Sequence, residues 1–209
     1  MGKLELNKKQ KKAALYTAAY ELFVSKGFAK TTISDIVEQA GVAKGTFYLY
    51  FKDKYDIHDK LIAHKTAELF YRSQEALKGT GYETFEEQFY FTIHFILDEL
   101  EKNTPLLLFI SKNLSWGVFR CFFHPDSSDV EYPFYRSYLN LLSKSSRSYR
   151  DPEIMLFTII ELVGSTCHSC ILYSQPLPIQ EYKPYLYRAI AGIMESFSVE
   201  EAGHQTCSI

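Results

Sequence analysis

The sequence predicts an all-α protein of about nine helices: an N-terminal three-helix domain, then a larger helical domain. Two observations lead to this prediction. Apolar residues recur at helical spacing along most of the 209-residue chain, and Gly and Pro lie between the periodic segments. Runs of alternating apolar and polar residues bounded by turn residues, which are typical of strands, are missing from the sequence.

Composition and charge indicate the class of protein. Apolar residues make up 46% of the chain and aromatic residues 16%, which is ample for a buried core. Residues 1–65 carry twelve Lys against seven acidic residues, a balance of +5. Residues 66–209 carry eleven Lys or Arg against eighteen acidic residues, a balance of −7. A basic N-terminal part on an acidic remainder is typical of a DNA-binding head on a body that avoids DNA.

Three helices separated by tight turns are predicted near the N-terminus. The first covers residues 8–26 and ends before Gly27, a residue that suits the position after a helix. The second begins after Thr32, whose hydroxyl can accept a capping hydrogen bond, and it ends before Gly41. The third covers about residues 44–50.

Two short helices joined by a tight glycine turn make up a helix-turn-helix, which we place at about residues 32–51. The third helix then has a polar outer face that is free to enter the major groove of DNA. Lys44 and Tyr48 lie four residues apart and share that face. The expected DNA-binding domain covers residues 1–53.

The residues from Thr31 to Lys54 follow the pattern T-T-I-x-x-I-x-x-x-A-G-V-x-K-G-T-F-Y-x-Y-F-x-x-K. Over roughly residues 8–60 the chain resembles the TetR family of bacterial regulators. The resemblance implies a transcriptional regulator that binds a palindromic operator in double-stranded DNA as a homodimer. It further implies a repressor that a small-molecule effector releases from the DNA, rather than an enzyme.

The resemblance also implies DNA contacts for the matching positions. The two threonines at the start of the second helix would bind a phosphate, Lys44 would reach a phosphate or a guanine edge, and Gly45 would allow close backbone approach. Thr46 and Tyr48 would touch bases or phosphates. Tyr50 and Lys54 would hold the DNA backbone. The implied DNA-binding residues are Thr31, Thr32, Lys44, Gly45, Thr46, Tyr48, Tyr50 and Lys54.

Ala43 departs from the family pattern, because many members have Ser or Thr at this position. Alanine can neither cap the recognition helix nor donate a hydrogen bond to a phosphate, a loss of ~1 kcal/mol. This departure weakens one contact and leaves the overall interpretation unchanged.

The remaining chain predicts a connecting helix over residues 54–80, a ligand-binding and dimerisation domain over 81–200, and a flexible tail over 201–209. The helix from Phe85 to Leu100 is apolar on nearly every side, so it is either buried all round or lines a cavity. Because TetR-like proteins usually hold a ligand here, we expect a hydrophobic or aromatic effector. A filled aromatic core is an equally open alternative. The candidate ligand-binding residues are Phe89, His94, Phe95, Phe109, Trp116 and Phe119.

The last two predicted helices, about residues 152–173 and 184–198, form the dimer interface in the TetR-like arrangement. Small residues there would permit close helix approach, namely Gly164, Ser165, Cys167 and Gly192. The run over residues 154–174 is strongly apolar, but it contains Glu161 and His168, which a membrane span would have to bury. A packed protein helix is therefore predicted.

The sequence is also compatible with two other functions. The same head could serve redox or metal sensing through Cys121, Cys167 and Cys170, although a second well-spaced ligand pair is missing and buried cysteines often act as small apolar residues. A helical enzyme or ligand carrier is the other alternative, but no phosphate loop, zinc-hydrolase motif or nucleophile elbow occurs. We expect no cofactor, no metal and no catalytic residue. The basic, polar start predicts no signal peptide, and a cytoplasmic location follows.

Overall fold

The computed structural model describes residues 2–111 and 134–199, and within these ranges it contains nine helices. The prediction of an all-α fold with an N-terminal helix-turn-helix is confirmed. The helices are α1 (Lys3–Ser25), α2 (Ile33–Gln39), α3 (Lys44–Tyr48), α4 (Lys54–Leu77), α5 (Phe85–Lys102), α6 (Thr104–Ser111), α7 (Phe134–Leu142), α8 (Pro152–Tyr173) and α9 (Ile179–Phe197).

The structure also contains one short antiparallel strand pair, which the sequence does not predict. β1 (Ser148–Tyr149) pairs with β2 (Ser198–Val199). The backbone N–H of Arg150 donates to the carbonyl of Phe197 at 2.8 Å, which extends the pairing into the end of α9. Two-residue strands leave no alternating pattern in the sequence, so they cannot be recognised from it.

The chain forms two compact units. Within the described residues, the first comprises 2–71, 105–111 and 134, and the second comprises 72–104 and 135–199. The predicted boundaries at residues 53 and 80 remain predictions, and the predicted tail over 201–209 lies outside the described residues.

The core of the first unit is built from one apolar stripe on each of its N-terminal helices. On α1, the apolar residues at helical spacing lie inward: Leu22 is half-buried, and the buried ones are Leu15, Ala18, Ala19 and Phe23. The aromatic rings of Tyr16 and Phe51 lie 5.3 Å apart, which packs α1 against the segment after α3. Fully buried residues of this core include Leu15, Ala19, Ile36, Phe47, Phe51 and Ile57.

Two helices begin with capping boxes, and the first of them confirms the predicted cap at Thr32. The N–H of Asp35 donates to the Thr32 hydroxyl at 3.1 Å, and the Asp35 carboxylate accepts from the Thr32 N–H at 2.8 Å. Thr84 and Glu87 form the same reciprocal pair at the start of α5. Each box satisfies N–H groups that a helix start leaves without an intrahelical partner.

The start of α8 is capped by backbone groups alone. Asp151 and Pro152 suit a cap and a first helical position, but the Asp151 backbone is left-handed, with φ of +48°, and its side chain makes no capping hydrogen bond. Its carbonyl oxygen instead accepts from the N–H groups of Ile154 and Met155, at 2.9 and 3.1 Å.

The prediction that the last helix begins near Pro184 is wrong. α9 begins at Ile179, and its first hydrogen bonds run from residues 181 and 182 to the carbonyl of Pro178, both at 3.0 Å. Pro184 removes one helical hydrogen bond. Packing outweighs that loss, because both Ile179 and Lys183 are buried and the Lys183 ammonium contacts a carboxylate of α5.

We expect Asp35→Asn to lower the stability of the first unit in a pH-dependent way. Hydrogen bonds from Lys26 and from Thr32 lower the pKa of Asp35 from 3.8 to about 2. The folded-state pKa is depressed, so the stabilisation is complete above pH 3.8 and is lost as the pH falls through about 2. Urea unfolding of wild type and variant at stepped pH values measures the difference. A difference that stays constant down to the lowest pH would contradict this assignment.

Candidate nucleic-acid interface and ligand groove

The turn between α2 and α3 depends on a glycine. Gly41 has a φ of +65°, in the left-handed region that favours residues without a Cβ. The N–H of Val42 then donates to the carbonyl of Val37 at 3.0 Å, which turns the chain back toward α2. Ile36 and Phe47 are buried behind the two helices, so the opposite side of α3 faces outward.

The outward face of α3 contains three of the predicted DNA-binding residues together. Lys44, Gly45 and Tyr48 are all exposed, and Thr46 beside them is half-buried. A Cβ added at Gly45 would meet no atom within 4 Å, so the fold itself does not require glycine there. Ala43 is the N-cap of α3 and makes no side-chain capping bond, as its residue type predicts.

Thr31 has a different environment from the exposed phosphate ligand that the resemblance implies. Thr31 is only 1% exposed. Its hydroxyl donates to the carbonyls of Gly27 at 2.9 Å and Leu22 at 3.3 Å. Its N–H donates to the carbonyl of Phe28 at 3.3 Å. Thr32 is exposed, although its hydroxyl and N–H both belong to the capping box.

Lys54 is bound to the protein's own backbone. Its ammonium donates to the carbonyls of Phe28 and Thr31, each at 2.9 Å, and lies 4.4 Å from the Phe28 ring centroid. This arrangement fixes the turn that precedes α2 to the start of α4. Tyr50 is half-buried, and its ring lies 6.3 Å from that of Phe51.

In the second unit, a groove of about 570 Å³ lies between α5 and α9. Its walls are mostly aromatic: the rings of Tyr82 and Phe91 lie 5.8 Å apart, and so do those of Tyr90 and Tyr187. The lining residues are Tyr82, Glu87, Tyr90, Phe91, His94, Tyr187, Arg188 and Ala191.

A polar network lies at one end of this groove. The Nδ1 atom of His94 lies 2.8 Å from the Tyr187 hydroxyl, and its Nε2 atom lies 3.4 Å from the carboxylate of Asp98. Asp98 also accepts from the ammonium of Lys183. Burial, followed by the charge of Asp98, raises the pKa of Tyr187 to about 12. The Tyr187 hydroxyl is therefore protonated at neutral pH and can serve as a hydrogen-bond donor.

Arg188 supplies a positive charge to the groove. Its guanidinium lies 4.9 Å from the ring centroid of Tyr185. Among the carboxylates that the structure describes, none forms an ion pair with it. An apolar groove with an arginine suits an amphipathic anion.

Of the four predicted ligand-binding residues that the structure describes, His94 alone lines the groove. Phe89 is buried against Phe85, with ring centroids 5.3 Å apart, and Phe95 packs beside Phe91 at 6.2 Å. Phe109 is buried in the first unit, where its ring lies 5.5 Å from that of His58. Trp116 and Phe119 lie outside the described residues.

The sequence prediction missed most of the groove, although one signal was available. Glu87, Tyr90, Phe91 and His94 recur on α5 at the spacing i, i+3, i+4, i+7, which places them on one helix face. The contribution of α9, above all Tyr187, depends on a contact across 93 residues that no local pattern reveals.

The described cysteines do not favour redox or metal chemistry. Cys167 and Cys170 are free and buried, and burial raises the pKa of Cys167 to about 12. A thiol that stays protonated at neutral pH is a poor nucleophile and a poor metal ligand. Cys121 lies outside the described residues. Within the two described ranges, no group of three or more His, Cys, Asp or Glu could hold a metal ion.

Helix α8 is the one helix of the described residues long and apolar enough to cross a membrane. Its most apolar window has a mean hydropathy of 1.6 and is 28% buried within the structure. Core helices of soluble proteins also meet this criterion of length and composition, so it is weak evidence for a membrane span. Its buried residues are Met155, Leu156, Ile159, Cys167 and Cys170.

Comparison with known proteins gives matches concentrated in the head. Residues 15–61 match the family described as bacterial regulatory proteins, tetR family. The fatty acid metabolism regulator protein of Bacillus subtilis (strain 168) is 39% identical over 71 residues, covering 34% of this chain and 37% of that protein. The matched segment therefore spans little more than a third of this relative's length.

Solved structures resemble the chain over most of its length. The fatty acid degradation regulator FadR from Bacillus halodurans aligns with a TM-score of 0.61 and 15% identity, over 86% of this chain and 97% of that one. FadR from Bacillus subtilis in complex with stearoyl-CoA aligns with a TM-score of 0.58 and 20% identity, over 85% and 96%. At these identities the likeness concerns the fold. Together with the helix-turn-helix geometry, the matches identify residues 15–61 as a tetR-family head, and over the rest of the chain the likeness to these regulators is one of fold.

Proposed function

We propose that this protein is a cytoplasmic transcriptional repressor that binds a palindromic operator as a homodimer and is released by a small amphipathic effector. The observation that supports the proposal most directly is the exposed outer face of α3, with Lys44, Gly45 and Tyr48 on a helix-turn-helix. The balance of +5 over the first 65 residues favours approach to DNA phosphates.

In this proposal the eight predicted DNA-binding residues divide by role. Lys44, Gly45, Thr46 and Tyr48 contact base edges or the nearest phosphates, and Thr32 and Tyr50 contact the DNA backbone. Thr31 and Lys54 position the start of α2, because their polar groups are bound to backbone carbonyls of the turn that precedes it.

The surfaces of α8 and α9 support the proposed homodimer. Ile154 is 56% exposed and Tyr185 is 55% exposed, although both belong to largely apolar helices. Gly192 is also exposed, with open space where a Cβ would lie. In a two-fold dimer on a palindromic operator, the two recognition helices lie one DNA turn apart, about 34 Å. Cys167 was expected at this interface, but it is buried within its own unit.

We propose the groove between α5 and α9 as the effector site. Its aromatic walls favour an apolar body, and Arg188 together with the Tyr187 hydroxyl favours an acidic group. The structural relative crystallised with stearoyl-CoA makes long acyl chains attached to an anionic group a reasonable first class of compound.

The proposed DNA recognition is tested by selection from randomised duplex DNA with the full chain at ~150 mM salt, where weak non-specific contacts are screened. We expect enrichment of a palindrome with half-sites one helical turn apart. Enrichment of no sequence would contradict the proposed function.

Lys44→Ala and Lys54→Ala should act on different properties: the first on DNA binding and the second on the stability of the fold. Lys44→Ala should reduce the slope of log affinity against log salt by about one per subunit, with unfolding unchanged. Lys54→Ala should lower the unfolding free energy by about 2 kcal/mol, because two charge-assisted hydrogen bonds are lost. Salt titrations and urea unfolding separate the two effects.

Lys52→Ala is the matched control, since this exposed lysine lies between the two and its side chain has no predicted DNA contact. A salt slope equal to wild type in Lys44→Ala would remove Lys44 from the proposed interface.

Gly192→Trp should convert the dimer to a monomer and leave the protomer folded. The space around this position is open within one chain, whereas a large side chain would prevent close helix approach between two copies. Sedimentation velocity measures the mass, and circular dichroism checks the fold. Gly192→Ala is the control and should remain dimeric. A dimeric Gly192→Trp protein would place the interface elsewhere.

Ala191→Trp should fill the groove and raise the effector concentration needed for DNA release by about tenfold, equal to ~1.4 kcal/mol. Titration of the protein–DNA complex with stearoyl-CoA and with aromatic carboxylates measures release. Ala191→Ser, which adds one atom, should behave as wild type, and both variants should bind DNA normally without effector. Release at equal concentrations from all three proteins would exclude the groove as the effector site.

A further inference from the structure

We infer that Leu49 is a specificity-determining residue that reads the C5-methyl group of one thymine in each half-site. This inference rests on the proposed DNA-binding function and adds a residue that the sequence pattern does not mark. It assigns the end of α3 an apolar contact beside the polar contacts of Lys44 and Tyr48.

Leu49 is 79% exposed, more than any other large hydrophobic residue of the described ranges. Tyr48 beside it is 53% exposed, whereas Phe47, one residue earlier, is fully buried. Phe47 therefore packs inward, whereas Tyr48 and Leu49 are both exposed at the same end of the recognition helix.

The local backbone fixes where this leucine lies. Leu49 is the C-cap of α3 with helical angles, φ of −71° and ψ of −23°, and its N–H donates to the carbonyl of Thr46 at 3.3 Å. It therefore follows Gly45 at the spacing i, i+4 on the same helix face. Because Gly45 has no side chain and open space around it, Leu49 is the first side chain on that stripe.

The chemistry of the major groove restricts what such a side chain can recognise. Leucine neither donates nor accepts hydrogen bonds, so the donors and acceptors of the base edges give it no specific partner. The thymine methyl is the one apolar group that a natural base pair presents in the major groove. An apolar contact at this position therefore selects thymine by removing its methyl group from water.

Exposure alone does not mark a site, since singly exposed leucines are common. Leu108 on α6, also in the first unit, is 42% exposed and lies outside the helix-turn-helix. What distinguishes Leu49 is its place on the face that also presents Lys44, Gly45 and Tyr48. Leu108→Ala is accordingly the matched control for Leu49→Ala.

The test uses the full chain and the duplex enriched by wild type from randomised DNA. Each thymine of one half-site is replaced in turn by deoxyuridine, which removes only the methyl group. We expect wild type to lose affinity about fourfold at one thymine per half-site, the equivalent of one buried methyl group. Leu49→Ala should bind both duplexes equally, whereas Leu108→Ala should keep the wild-type discrimination.

Leu49→Met retains an apolar side chain and should keep the preference for thymine over deoxyuridine, which separates lost contact from lost structure. If wild type enriches no sequence, the proposed function and this inference both fail. If a sequence is enriched but wild type binds every deoxyuridine duplex equally well, or Leu49→Ala keeps the discrimination, the inference alone is overturned.

Discussion

The helix-turn-helix head depends on the ammonium of Lys54 and the two carbonyls that it binds. Phe28 and Thr31 belong to the turn between α1 and α2, and the bonds of 2.9 Å connect that turn to the start of α4. The capping box of α2 begins at the next residue, Thr32. The direction of α2, and through Gly41 that of α3, therefore follows from one lysine that bonds across more than twenty residues.

Features determined by neighbouring residues could be predicted from the sequence. The cap at Thr32 and the left-handed turn at Gly41 need only the residues within three positions, and both are present as expected. Features that depend on distant contacts could not. The bonds of Lys54 join residues 23 and 26 positions apart. The ion pair of the buried Lys183 with Asp98 joins residues 85 positions apart, and it holds the turns of α9 that precede Pro184.

The aromatic helix α5 reconciles two interpretations that the sequence left open. One face is filled core, with Phe85, Phe89 and Leu97 buried. The other face presents Tyr90 and Phe91, which line the groove. A helix that is apolar all round can thus be half core and half binding surface, and periodicity alone does not distinguish the two faces.

The pairing of β1 with β2 imposes an order on biosynthesis. Tyr149 pairs with Ser198, and its hydroxyl donates to Glu86, so three distant parts of the second unit meet there. The pairing of β1 with β2 forms only after residue 199 has left the ribosome, whereas α1 to α4, with the bonds of Lys54 and the buried Ile57, lie within the first 77 residues. Premature termination before residue 198 would therefore release a chain that contains its complete helix-turn-helix but whose second unit remains unclosed.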